Sequence, residues 1–110
     1  MTSESCPDAT RTRRRVPGRL PPLSVPNAAR LFWLLGTPAR LRMLRVIRGK
    51  GGACVSDLVA AARLPRATVS NHLALLRRGG VVERRRAGHR TVYRVASPLA
   101  AELLRSVGDG

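Results

Sequence analysis

From residue 66 to residue 78 the apolar positions fall on one side of a helix. Val69, Leu73 and Leu76 recur at i, i+4 and i+7. Ser70, Asn71, Ala74 and Arg78 are turned away from that stripe. Upstream, Asn27 is placed to cap a helix carrying Ala28, Leu31, Phe32, Leu34 and Leu35, with Gly36 ending it. Thr37-Pro38 supplies an N-cap and a proline at the first helical position of a second helix, over about 38–48. Its Leu41, Leu44, Val46 and Ile47 are apolar. Arg40, Arg42, Arg45 and Arg48 are expected to be exposed, and Gly49, Gly51 and Gly52 to end it. Ala53-Cys54-Val55 reads as a short extended stretch. Ser56 is expected to cap a third helix with Leu58, Val59, Ala61 and Ala62, and Leu64-Pro65 forms the turn into helix 66–78. Gly79-Gly80 ends that helix.

Two strands follow, Val81 to Arg86 and Arg90 to Val95, around Ala87-Gly88-His89. The second alternates valine and arginine about Tyr93, and Gly88 suits a positive-φ turn position. Ser97-Pro98 opens a last helix with Leu99, Ala100, Leu103, Leu104 and Val107. The order predicts a mainly α fold with a small β-hairpin, a winged helix-turn-helix. Residues 1–26 hold five of the eight prolines and Arg11, Arg13, Arg14, Arg15 and Arg19. That composition cannot bury a core, and a disordered basic arm is expected there. It is either a solvated tail or a source of extra phosphate or minor-groove contacts. Residues 27–110 form the DNA-binding and dimerisation domain. A domain this small has a marginal core. Helices 27–35 and 98–107 are too apolar for a single layer to cover both. Pairing across a twofold axis solves this and sets two reading helices about one DNA turn apart.

Charge turns the fold into an expectation about a partner. The chain of 110 residues carries a net charge of +15. Residues 63–94 hold nine arginines against one acid, Glu83, a balance of +8. Self-repulsion on this scale destabilises a compact monomer, and a polyanion relieves it. The aromatic residues are Phe32, Trp33 and Tyr93. Single-stranded nucleic acid is usually held by stacking on aromatic platforms, so duplex DNA is the better match. No stretch is apolar over the ~18 residues of a membrane helix, and no signal-peptide core opens the chain. A cytoplasmic protein is expected, with Cys6 and Cys54 reduced. No Gly-rich phosphate loop, paired carboxylates or nucleophile–base–orienter set is present, so catalysis is not expected.

The stretches LGTPARLRMLRVI, CVSDL, ATVSNHLALLRRGGVV and RRRAGHRTVYRV together resemble the ArsR/SmtB-type family of winged-helix regulators, over about residues 28–96. The resemblance implies a homodimeric repressor that leaves its operator when an inducer binds. It places Thr68, Ser70 and Asn71 at the bases and matches His72 to the family's histidine. The place of His72 beside Val69 and Leu73 argues for a packing or phosphate role, with base contact as the alternative. Arg66, Arg77 and Arg78 fall on phosphates or flank the groove. Arg86, His89 and Arg90 fall at the wing tip, against the minor groove or the backbone. The family's metal-sensing pattern pairs two cysteines one residue apart. Cys54 matches the first, but Ser56 replaces the second. One thiolate cannot hold a soft metal tightly. With Cys6 from the arm there are two, which suits a linear metal or metalloid site or a reversible disulfide. The family's second site, on the last helix, needs Asp and His ligands. Residues 98–110 offer Glu102 and Asp109 and no histidine, so that site is not expected. A nonspecific architectural DNA binder, a regulator without metal response, and a module that meets an acidic protein remain the alternatives.

Overall fold

A computed structural model describes residues 23–108. Seven elements follow in order: α1 (Val25–Leu35), α2 (Pro38–Lys50), α3 (Val55–Ala62), α4 (Arg66–Arg78), β1 (Val82–Ala87), β2 (Arg90–Val95) and α5 (Pro98–Leu104). β1 and β2 form one antiparallel hairpin, in register from Val82 opposite Val95 to Ala87 opposite Arg90. The expected winged helix-turn-helix order is present. The arm expected over 1–26 lies largely outside the described residues.

β1 runs Val82–Ala87 rather than Val81 to Arg86, and four helix boundaries also differ from the expected ones. α1 starts earlier, because Ser24 caps it: the Asn27 N–H donates to the Ser24 hydroxyl at 3.3 Å, and Pro26 fits the first turn. α2 runs through Gly49 to Lys50 and ends at Gly51, which takes the left-handed cap conformation. α3 is capped by Cys54, so Ser56 lies inside the helix. α5 stops at Leu104 rather than at 107.

The core joins the buried side of each element. Met43, Leu44 and Ile47 of α2 meet Leu58 of α3 and the Val69–Leu73–Leu76 stripe of α4, all at most 1% exposed. α5 packs on α2 and β2 through Ala100 and Leu104. α1 gives the core Leu34 and Leu35 but leaves Val25, Phe32 and Trp33 83%, 60% and 60% exposed. The apolar surface in need of a partner is thus concentrated on α1, because the inner side of α5 is already covered. Among the described residues, no helix is long and apolar enough to cross a membrane.

Candidate nucleic-acid interface

The core sets the rotation of α4. With Val69, Leu73 and Leu76 buried, the ~100° turn per residue carries Ser70, Asn71 and Ala74 to the opposite side. Ser70 and Asn71 are exposed there, with hydrogen-bonding groups of a length suited to base edges. Thr68 and His72 share a flank between the two faces, and both are half-buried. Thirteen residues make α4 about 20 Å long, and the major groove admits a helix.

The wing is pinned to the body through β2. Ala53 and Tyr93 exchange two backbone hydrogen bonds, of 3.0 and 2.8 Å, and the Tyr93 side chain is buried. Gly88 turns the hairpin with φ +66°, where a side chain would be strained. The register puts Arg84 and Arg86 on one face with Thr91 and Tyr93, and Arg85, Arg90 and Arg94 on the other. All five arginines are exposed. Glu83 lies 3.9 Å from Arg85, a solvent-exposed pair that does little to fix either side chain.

A cavity of about 350 Å³ lies where the starts of α3 and α4 meet the wing. Arg66 enters it from α4, and Arg84, His89 and Arg90 enter from the wing. The groove is therefore cationic and spans both α4 and the wing. Of the sequence-expected residues, it gathers Cys54, Arg66, His89 and Arg90. Arg86 is exposed further along β1. Arg77 and Arg78 lie in the last turn of α4, where they also complement the helix dipole. Arg78 lines a separate cavity with Arg30 and Leu34 of α1.

Two residues gain roles that the sequence reading did not give them. Arg84 belongs to the cationic cavity. Arg40, expected to be exposed, is 8% exposed. It occupies the position three and four residues before Met43 and Leu44, and the helical period alone could have revealed it. Its Nε donates to His72 Nδ1 at 3.2 Å, and its Nη1 donates to the Trp33 carbonyl at 3.0 Å. Burial first, and then the Arg40 charge, hold the His72 imidazolium below the ordinary histidine value of 6.5. His72 thus packs through its Nδ1 side.

Cys54 is half-buried and lines the cationic cavity. Its N–H and its thiol both donate to Asp57 Oδ2, at 3.2 and 3.3 Å, and this closes the first turn of α3. The Cys54 backbone N–H, then the thiol, then the charges of Lys50 and Arg90 hold the Asp57 carboxyl below its ordinary 3.8. Among the described residues there is no group of three or more His, Cys, Asp or Glu side chains able to hold a metal. Cys6 lies outside the described residues.

An apolar-anchored helix with a polar outer face, followed by a basic wing, defines a winged helix-turn-helix DNA-binding regulator. The sequence profile of a helix-turn-helix domain family matches residues 35–85. The chain is 37% identical over 76 residues to the uncharacterized HTH-type transcriptional regulator Rv0081 of Mycobacterium tuberculosis, covering 69% of this chain and 67% of that protein. It is 34% identical over 85 residues to the HTH-type transcriptional repressor SmtB of the same species, covering 76% of this chain and 62% of that one. The solution structure of the homodimeric winged helix-turn-helix domain of Mb0332 from Mycobacterium bovis, a possible ArsR-family regulator, superposes with a TM-score of 0.66. That likeness is at 32% identity and covers 74% of each chain. The chain belongs to the ArsR/SmtB-type family of winged helix-turn-helix transcriptional regulators.

Proposed function

We propose that this protein is a cytoplasmic homodimeric repressor that reads a palindromic operator and is released by an inducer. The observation that carries the reading is the cationic cavity shared by α4 and the wing, beside the exposed Ser70–Asn71 face. Thr68, Ser70 and Asn71 read bases. Arg66, Arg77 and Arg78 hold phosphates, and Arg84, Arg86, His89 and Arg90 of the wing extend that grip. The exposed Val25, Phe32 and Trp33 of α1 pair with the same residues of a second copy. Repression follows the naming of the SmtB relative, and the homodimer agrees with that of Mb0332.

The test is a binding titration against the DNA upstream of the protein's own gene, with random duplex as competitor, at near-physiological salt. A preference of ~10³ or more for the upstream DNA is expected. Equal affinity for both would return the architectural reading. The inducer site within this reading is Cys54, alone or with Cys6 from the arm. A soft metal, a metalloid ion or thiol oxidation there would take the thiol from Asp57 and open the cap of α3 beside the cationic cavity. Equilibrium dialysis of the reduced protein with arsenite, cadmium or copper(I), against Cys54→Ser, decides it. Binding by the wild type alone assigns the site, and no binding removes metals as inducers.

A further inference from the structure

Arg40 is the only buried charged residue among the described residues. A buried charge is tolerated only when its donors are met. Nη1 donates to the Trp33 and Leu34 carbonyls, at 3.0 and 3.3 Å. These belong to the last turn of α1, where the Trp33 carbonyl also accepts from the Gly36 N–H and the negative end of the helix dipole faces a cation. The guanidinium carbon lies 4.9 Å from the centre of the Trp33 ring, within cation–π range. Nε donates to His72 Nδ1 at 3.2 Å. The guanidinium fork therefore joins three helices: α2, which carries it, the end of α1, and α4.

The contact also selects a tautomer. Nδ1 accepts a hydrogen bond, so it has no proton, and a neutral imidazole then carries its proton on Nε2. Protonation at both nitrogens would set two N–H groups against each other beside a second cation. His72 lies on the flank of α4 with Thr68, at the edge of the polar face, and the ring is only half-buried.

We propose that Arg40 is a positioning residue for DNA binding. It locks His72 as the neutral Nε2–H form, so that Nε2 donates to a phosphate at the groove edge, and it ties that donor to the Trp33 end of α1. This rests on the DNA-reading role proposed above. Trp33 is 60% exposed on the apolar face assigned to the second copy. The clamp is thus a direct mechanical link between the pairing face and the reading helix. A lysine at position 40 would keep the charge but could not span two carbonyls and an imidazole with one fork.

Two measurements on the full chain test this. Long-range ¹H–¹⁵N correlation at pH 7.5, with His89→Gln to assign the two rings, reads the tautomer of His72. The Nε2–H form is expected, and the Nδ1–H form would overturn the proposal. Affinity is then measured on a duplex enriched by the wild type from a random library. Arg40→Lys is expected to weaken it about tenfold, the scale of one hydrogen bond to a charged group. In the His72→Ala background the same change should cost less than about twofold, since the donor it positions is already gone. Equal losses in both backgrounds would mean that Arg40 acts through the fold alone, and would sink the idea. If Arg40→Lys fails to fold, His72→Gln, whose amide keeps a donor near Nε2, must bind at least several-fold more tightly than His72→Ala. Equal binding by these two is the overturning result. If the wild type enriches no duplex, the sequence-reading role fails, and the tautomer still decides the clamp. If Asn71→Ala loses preference while the His72 and Arg40 variants lose nothing, the proposal alone fails.

Discussion

The α4–wing face and the outer face of α1 are both exposed, and their chemistry is opposite. On α4 the core takes the apolar stripe and leaves Ser70 and Asn71, flanked by the arginines of the wing. On α1 the core takes Leu34 and Leu35 and leaves Val25, Phe32 and Trp33 in water. The side chains that the core does not use indicate what each face meets. A face of short polar groups among exposed cations suits a polyanion. A face with two exposed aromatic rings suits an apolar surface of its own kind.

The largest effect should come from making the α1 face polar. Val25→Glu with Phe32→Glu avoids the Arg40 clamp and places carboxylates where two copies would meet. Sedimentation at micromolar concentration should then show a monomer. Affinity for a palindromic operator should fall by ~10²–10⁴, because the second half-site is no longer bound at high effective concentration. Unchanged mass and affinity would strip the α1 face of its assigned role. The next effect lies on the opposite face. Asn71→Ala should lower affinity for the operator by about tenfold or more and leave random duplex almost unchanged. Arg90→Ala should weaken both duplexes alike and reduce the slope of log affinity against log salt by about 1. If the two variants behaved identically, the division between reading and holding on this face would be wrong.

Much of the α4–wing face was legible in the sequence, and less of the α1 face was. α4 carries an unbroken i, i+4, i+7 stripe, and β2 alternates with period two, so each declares its buried side locally. Thr37-Pro38 is an equally local start signal. The start of α1 was obscured because Ser24-Val25-Pro26 continues the proline-rich composition of the arm. Arg40 was read by its charge and not by its place in the Met43–Leu44–Ile47 stripe, although only the latter predicts burial. The cap of α3 was assigned to the hydroxyl of Ser56, when the Cys54–Asp57 pair closes that turn one residue before the helix. The cationic cavity was not legible at all. It needs Arg66 of α4 and Arg84 of β1 to converge, which follows from the tertiary packing of those two elements and not from any local pattern.

A smaller effect tests whether the two faces are joined rigidly. Gly79 closes α4 where Leu34 of α1 packs against it, and a Cβ there would collide with Leu34 Cδ1. Its backbone is in the ordinary helical region, so packing and not conformation calls for glycine. Gly79→Ala should destabilise the fold by about 1–3 kcal/mol in chemical denaturation, the range of an overpacked core contact. A neutral result would mean that Leu34 yields freely and that the end of α4 is not held by α1.

The smallest effect concerns Asp57, which accepts from Cys54, a residue lining the cationic groove. The folded state holds the Asp57 carboxyl below its ordinary 3.8, chiefly through the Cys54 N–H, with Lys50 3.8 Å away and Arg90 acting at longer range. Between the folded value and 3.8 the unfolded chain binds more protons at this residue. Its contribution is therefore present above 3.8 and lost as pH falls through the folded value. Asp57→Asn removes the ionised acceptor. Its denaturation midpoint should be lower than that of the wild type at pH 7, and the gap should close on acidification below 3.8. The same substitution removes the negative charge that partly offsets Arg90, so affinity for random duplex should rise slightly at low salt. A gap that persists unchanged in acid would show that the cap of α3 rests on the thiol and the backbone rather than on the carboxylate charge.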